Sequence, residues 1–192
     1  MSDYLADLSN AELAALHLTR DLSGGYTITW PEDYNIYTAT VGRYLGPDHR
    51  DNPAMIFEEP GGRVTTQSFA DIDAAATCLA AELRRLGYGK GDPVALHTGQ
   101  HPDTGIGHMA IAKIGGIAVT LSQLYGPDTL AHALSDCRAG VILTSRAAWE
   151  PLRGEAFPHL RHVLMRDPGA GDLDLGAAMA DPPADFTTDL GG

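Results

Sequence analysis

The sequence predicts an α/β fold: a parallel sheet with helices on both faces, preceded by N-terminal helices and a β-hairpin. Three observations carry this. From Pro93 to Met165, short apolar strands alternate with helical segments, the pattern of right-handed parallel crossovers. Strands such as Val94-Ala95-Leu96 and Val141-Ile142-Leu143 are apolar throughout rather than alternating, which calls for cover on both sheet faces. The chain has 192 residues, 44% hydrophobic and 20% charged, enough apolar surface for a core and too much for disorder.

The elements follow in order. Residues 9 to 22 read as a helix, with Ser9 and Glu12 spaced as a capping box and Leu13, Leu16 and Leu22 on an apolar stripe. Gly24-Gly25 and Pro31 mark 23 to 33 as a connector, and Tyr34 to Tyr44 reads as a second helix. Ala54–Phe57 and Val64–Thr66 flank Pro60-Gly61-Gly62, a hairpin signature. Phe69 to Gly87 is a periodic helix: Ile72, Ala76, Leu79, Ala80, Leu83 and Leu86 share a face, Arg84 and Arg85 suit its C-terminus, and Gly87 stops it. Strands are expected at 92–97, 117–121, 140–145 and 162–165, and helices at 101–115, 128–137 and 146–152. From Asp167 onward Gly, Ala, Asp and Pro dominate, which reads as a loosely ordered tail or connector. The expected divisions are 1–33, 34–166 and 167–192.

A formal net charge of −12 repels phosphate backbones and anionic lipid, so nucleic acid and membrane surfaces are not expected partners. No apolar run approaches the ~20 residues of a membrane helix. Met1-Ser2-Asp3-Tyr4 lacks the basic and apolar regions of a secretory signal, and a cytoplasmic location is expected. Cys78 and Cys137 read as buried reduced thiols.

Several segments invite a chemical reading. Gly87-Tyr88-Gly89-Lys90-Gly91-Asp92 is glycine-rich, but it follows a helix and precedes a strand; a phosphate cradle has the reverse polarity, so a turn is expected. His97-Thr98-Gly99-Gln100-His101 lies between a strand and a helix, where parallel sheets place ligands. His97, His101 and His108 could suggest a metal set, yet only Asp103 accompanies them, and ordinary histidines are the expectation; no metal site is assigned. Leu121-Ser122-Gln123-Leu124-Tyr125-Gly126-Pro127 is the second strand-to-helix crossing, either a structural loop or a ligand-facing one. Ser122 has no neighbouring base and no nucleophile elbow. The two lysines, Lys90 and Lys113, are not placed like catalytic or phosphate-binding groups, and Lys113 is expected to be solvated or snorkelling. No catalytic residue is assigned.

Five segments in register resemble the AMP-binding, adenylate-forming acyl-CoA synthetases, in wording closest to the acetyl- and medium-chain acyl-CoA synthetases. Thr66–Ile72 resembles "TYxEL", Leu86–Ala95 "LGVGKGDRVAI", Ala112–Leu121 "xxRLGAVAVPL", Ser122–Asp128 "SPLFGPDEL" and Asp136–Ser145 "DSGARVLVT". Coverage is about residues 34 to 146. Thr120 stands where the family usually has proline, and His97–Pro102 replaces an "LPNxPE"-like segment.

The resemblance implies the N-terminal subdomain of that fold, with a Rossmann-like sheet. It implies a parent enzyme that activates a carboxylate with ATP as an acyl-adenylate and then forms a thioester with CoA. ATP, Mg and coenzyme A are implied for the full-length protein, and no cofactor is expected to bind this chain alone. The family's Ser/Thr/Gly-rich phosphate loop and its C-terminal lid with the catalytic lysine are not among these residues, so the chain alone is expected to be inactive. By the same resemblance Ser122, Leu124, Tyr125 and Gly126 form a wall of the tunnel where acyl group and CoA thiol meet. The implied partners are the remainder of the ligase polypeptide or a complementary chain, a small-molecule carboxylate, and a possible second copy. The competing expectation is a complete, non-catalytic binding or partner module on the same scaffold.

Overall fold

The computed structural model describes residues 9–15, 17–29, 31, 33–180, 182–183 and 185–189. Leu16 and the Glu12 side chain, on which the expected stripe and capping box depend, lie outside the described residues, as do the four N-terminal residues. The chain divides into two compact units, one within residues 1–34 together with 191–192, the other spanning 35–190.

In the smaller unit the helix is shorter than expected. Helix α1 runs Asn10–Ala15, and His17 then adopts φ 58°, which ends it. Strand β1 (Leu18–Arg20) pairs antiparallel with β2 (Tyr26–Ile28). Gly24 turns at φ 85°, and Asp21 Oδ1 accepts from the Ser23 and Gly25 amides at 2.7 and 2.9 Å. An Asp–Gly turn between Thr-bearing segments outweighs the helical periodicity, and Leu22 stands fully exposed instead of joining a stripe.

The larger unit opens with α2 (Ile36–Thr40), whose first amides are capped by Asn35, followed by a 3₁₀ turn at Gly42–Tyr44. The hairpin of β3 (Pro53–Glu58) and β4 (Val64–Ser68) turns through Gly61 and Gly62 at φ 112° and 86°, a conformation glycine adopts without steric cost. Helix α3 (Phe69–Arg85) follows. Then come β5 (Pro93–His97), α4 (Pro102–Lys113), β6 (Ile117–Thr120), α5 (Pro127–Cys137), β7 (Val141–Ser145), α6 (Arg146–Trp149) and β8 (His162–Arg166). With β9 (Leu173–Asp174), the parallel sheet has five strands among the described residues, in the order β6-β5-β7-β8-β9.

The fifth strand, β9 (Leu173–Asp174), comes from the segment whose composition suggested a loose tail. There Leu175 is 1% exposed, and Arg153 holds Asp172 through two hydrogen bonds of 3.0 and 3.3 Å. Pairing along the β8 edge orders it, a long-range contact that local periodicity does not encode.

Neighbouring strand residues point to opposite faces. On one face Val94, Leu96, Val141, Leu143 and Leu164 pack against Leu79 and Leu83 of α3 and Ile106 and Ile111 of α4. On the other, Ala95, Ile142 and Met165 pack against Leu130 and Leu134 of α5 and Trp149 of α6. Coverage stops at β6, an edge strand on which Ile117 is 54% exposed. Cys78 is buried as expected, and Cys137 is only half-buried. Gly87–Asp92 is a helix-to-strand turn, with Gly87 and Gly91 at positive φ and Asp92 Oδ2 accepting from the Gly89 amide at 2.9 Å. Among the described residues no helix is long and apolar enough to cross a membrane.

Candidate functional site

Parallel strands bring their carboxyl ends to one rim, and the loops leaving β5 and β6 there enclose a cavity of about 810 Å³. Leu96, Gly99, Gln100, His101, Thr104 and Gly105 line it from β5 and the start of α4. Thr120 through Tyr125 line it from the end of β6. Of the sequence-predicted wall, Ser122, Leu124 and Tyr125 face the cavity, Leu124 at 94% exposure. Gly126 sits outside the lining as N-cap of α5, with open space where a Cβ would be. Gly99 and Gln123 lie in the two strand-to-helix crossings that the sequence marked, although neither was named as a wall residue, and Thr104, in the first turn of α4, was missed.

Gly99, at φ 67°, packs so closely against Gln123 that a Cβ there would lie 2.4 Å from Gln123 Oε1. Gln123 Nε2 in turn donates to the His97 carbonyl at 3.2 Å. Ser122 Oγ accepts from the Leu124 amide at 3.1 Å and so shapes its own loop rather than meeting a base.

The three histidines weighed as a metal set each have separate partners. His97 is 1% exposed, its Nδ1 3.3 Å from Thr144 Oγ1. Burial pushes its pKa below the usual histidine range. The Ser122 backbone partly opposes this through a contact outside hydrogen-bond geometry, which leaves Nε2 unsatisfied. His101 lies 3.0 Å from Asp103 Oδ1, and burial lowers its pKa although Asp103 acts in the opposite sense. Asp103, 6% exposed, also takes a 2.6 Å ion pair from Arg166 Nε. His108 lies between the Thr104 carbonyl and Thr120 Oγ1. Among the described residues no group of three or more His, Cys, Asp or Glu is arranged to hold a metal ion.

Lys113 departs from the solvated position expected. It is 4% exposed, with Nζ 2.7 Å from Asp73 Oδ1 and 3.8 Å from the centre of the Tyr37 ring. Helix α4 packs on α3 and α2, which encloses the ammonium between a carboxylate and an aromatic face. Neither lysine lines the cavity, so its lining has no ammonium and no carboxylate. Neutral hydroxyl and amide groups and apolar faces make up most of the surface. Such a lining does not suit a triphosphate with its magnesium ion.

The fold is a parallel-sheet α/β unit with a cavity at the carboxyl ends of its strands. The family model described as AMP-binding enzyme matches residues 46–182, and the chain belongs to that family. Similar curated proteins include the acetyl-coenzyme A synthetases of Gemmatimonas aurantiaca, 29% identical over 69% of this chain and 22% of that protein, and of Thiobacillus denitrificans, 30% identical over 84% and 26%. Among solved structures, the anthranilate CoA ligase AuaEII bound to anthranoyl-AMP matches with a TM-score of 0.71 at 25% identity, over 84% of this chain and 30% of that one. A Brucella canis acyl-CoA synthetase shares the fold with a TM-score of 0.77, over 97% of this chain and 33% of that one. The chain spans about a quarter of the length of the curated relatives it matches.

Proposed function

We propose that this chain supplies the N-terminal α/β subdomain of a cytoplasmic, ATP-dependent acyl-CoA synthetase, and that its cavity is one wall of the channel in which an acyl group meets the thiol of coenzyme A. The observation carrying this is the cavity at the β5 and β6 carboxyl ends, within the family-matched segment and lined by Ser122, Leu124 and Tyr125. Leu124 and Tyr125 offer apolar surface, and Ser122, Gln123 and Thr104 offer neutral hydrogen bonds to an amide-bearing arm. Gly126 starts the helix that follows and leaves the backbone open to approach. ATP and magnesium act in the full-length enzyme through residues outside this cavity. The partners of this reading are the rest of the ligase polypeptide or a complementary chain, and a small-molecule carboxylate. A second copy is the remaining candidate, since Ile117 and Leu124 leave apolar surface open.

Two measurements test the reading. The isolated chain is expected to give no carboxylate-dependent ATP–pyrophosphate exchange above blank; robust exchange refutes the assignment of adenylation to other residues. The sequence alone led to no cofactor on this chain by itself; the neutral cavity revises that expectation, and coenzyme A is expected to bind the isolated chain weakly, with Tyr125→Ala weakening it further. Titration calorimetry that detects no binding at millimolar coenzyme A removes the channel-wall role.

A further inference from the structure

Thr120 occupies the position where the resembled family motif has proline, and it carries a hydroxyl that proline lacks. That hydroxyl lies 2.9 Å from His108 Nε2. The other ring nitrogen, Nδ1, lies 2.7 Å from the Thr104 carbonyl. A carbonyl only accepts, so Nδ1 carries the hydrogen. In the neutral ring Nε2 is then bare and accepts from Thr120.

The chain of bonds continues into the cavity lining. Thr104 Oγ1 donates to the Gly99 carbonyl at 2.6 Å, and Thr98 Oγ1 lies 2.6 Å from Thr104 Oγ1. Because Thr104 has spent its one hydrogen on Gly99, Thr98 is the donor in that pair. Thr104 joins two sets of bonds, its main-chain carbonyl taking His108 and its hydroxyl meeting Gly99 and Thr98, and so links the end of β6, through α4, to the loop after β5. Thr120, Thr104 and Gly99 all line the cavity.

We propose that His108 and Thr120 form a positioning latch. The neutral Nδ1–H imidazole of His108 holds the end of β6, and thereby the Leu121–Tyr125 wall, at a fixed distance from the first turn of α4. The inference rests on the channel-wall reading for its consequence, although not for its geometry. Gln123 anchors the far side of the same wall through the His97 carbonyl, and the β5–β6 ladder still holds Leu121 to Leu96, so losing the Thr120 bond loosens one end of the wall and does not release the loop. His108 and Thr120 are positioning residues.

The test has one readout that needs no variant. Nitrogen-15 correlation spectra of the wild-type chain above neutral pH are expected to show His108 with hydrogen on Nδ1 and a bare Nε2. A ring protonated on Nε2 alone overturns the latch. The second readout is amide exchange at Leu121, Leu124 and Tyr125, whose N–H groups bond Leu96 O, Ser122 Oγ and Ser122 O. Thr120→Val keeps the side-chain shape and removes the hydroxyl. It is expected to speed exchange at these amides by about threefold, the low end for a hydrogen bond because Thr120 is exposed. Thr120→Ser is expected to keep the wild-type rates. Equal rates in all three proteins overturn the proposal, as does a serine variant that behaves like valine. Coenzyme A affinity, with coenzyme A itself as the probe, is expected to fall in the valine variant by the same factor and recover in the serine variant. Wild-type protein that binds no coenzyme A while its tautomer and exchange rates behave as stated sinks the channel-wall reading and leaves the latch standing.

Discussion

Lys113 and Asp73 form an ion pair that the surrounding helices largely exclude from water, and the Tyr37 hydroxyl donates to the same carboxylate oxygen at 2.6 Å. Burial, reinforced by that carboxylate, holds the Tyr37 phenol above its usual pKa range. Removing one member of such a pair strands the other. Asp73 retains 28% side-chain exposure and its Tyr37 partner, so Lys113→Met is expected to cost about 2–3 kcal/mol rather than the full penalty of a buried charge, measured by urea unfolding. Lys113→Met combined with Asp73→Asn is expected to cost less than the two single changes together, because it strands neither charge. His97 gives a pH dependence of known sign. Its pKa in the folded chain lies below the unfolded value of about 6.5, so the unfolded state binds the extra proton first. The stability His97 contributes is present above pH 6.5 and is lost as pH falls through the folded pKa. The urea midpoint of the wild type is therefore expected to drop between pH 7 and 5.5, where carboxylates contribute little. His97→Gln is expected to flatten part of that drop, and an unchanged slope in the variant contradicts the assignment.

Helix α3 shows which parts of an element a sequence reveals. Its apolar face was legible because Ile72, Ala76, Leu79, Ala80 and Leu83 repeat at helical spacing, and all five are buried. Its start is fixed by a capping box that periodicity does not report. Ser68 Oγ accepts from the Asp71 amide at 3.1 Å, and Asp71 Oδ2 accepts from the Ser68 amide at 2.8 Å. Ser68→Ala is expected to cost about 1 kcal/mol, and Asp71→Ala a further loss on top of it, because the residue-68 amide still donates to Asp71 in the alanine variant, read from denaturant midpoints. The parallel crossovers were equally legible, since each strand is a short apolar run bounded by turn residues. The β1–β2 hairpin and β9 were not. Both rest on pairing between segments too short to carry a period, three residues in β1 and two in β9. At the candidate site the Ser122–Gly126 loop was singled out because its wording carries the family resemblance, whereas the Asp103–Arg166 pair joins residues 63 positions apart and leaves no local trace.

The larger unit is closed by its last described residues. Asn35 caps α2 with its oxygen while its Nδ2 donates to Ala112 O at 2.7 Å and to Asp189 O at 2.8 Å. The Asp189 amide donates to Lys113 O at 2.7 Å, and Arg84 donates to Thr187 O at 2.8 Å while stacking over Phe186 at 4.4 Å. These bonds span 76 to 154 residues of sequence and join the C-terminal ends of α3 and α4. Residues 185–189 thus act as a strap across two helix ends and over the buried Lys113. A strap integral to the core must unfold with it. Phe186→Ala, which removes a half-buried ring packed against the α3–α4 core, is expected to lower the midpoint of the main unfolding transition by about 1.5–2.5 kcal/mol. Amide exchange of Asp189 in the wild type is expected to require the same opening as Leu79 in the middle of α3. An independent strap behaves otherwise: Asp189 exchanges through a low-energy local opening, and the Phe186 change leaves the main transition in place. Lys113 supplies a separate chemical readout. Its reaction with an amine-directed acylating reagent is expected to be slow in the wild type and faster in Phe186→Ala under native conditions, because the ring and the segment that carries it form part of its cover.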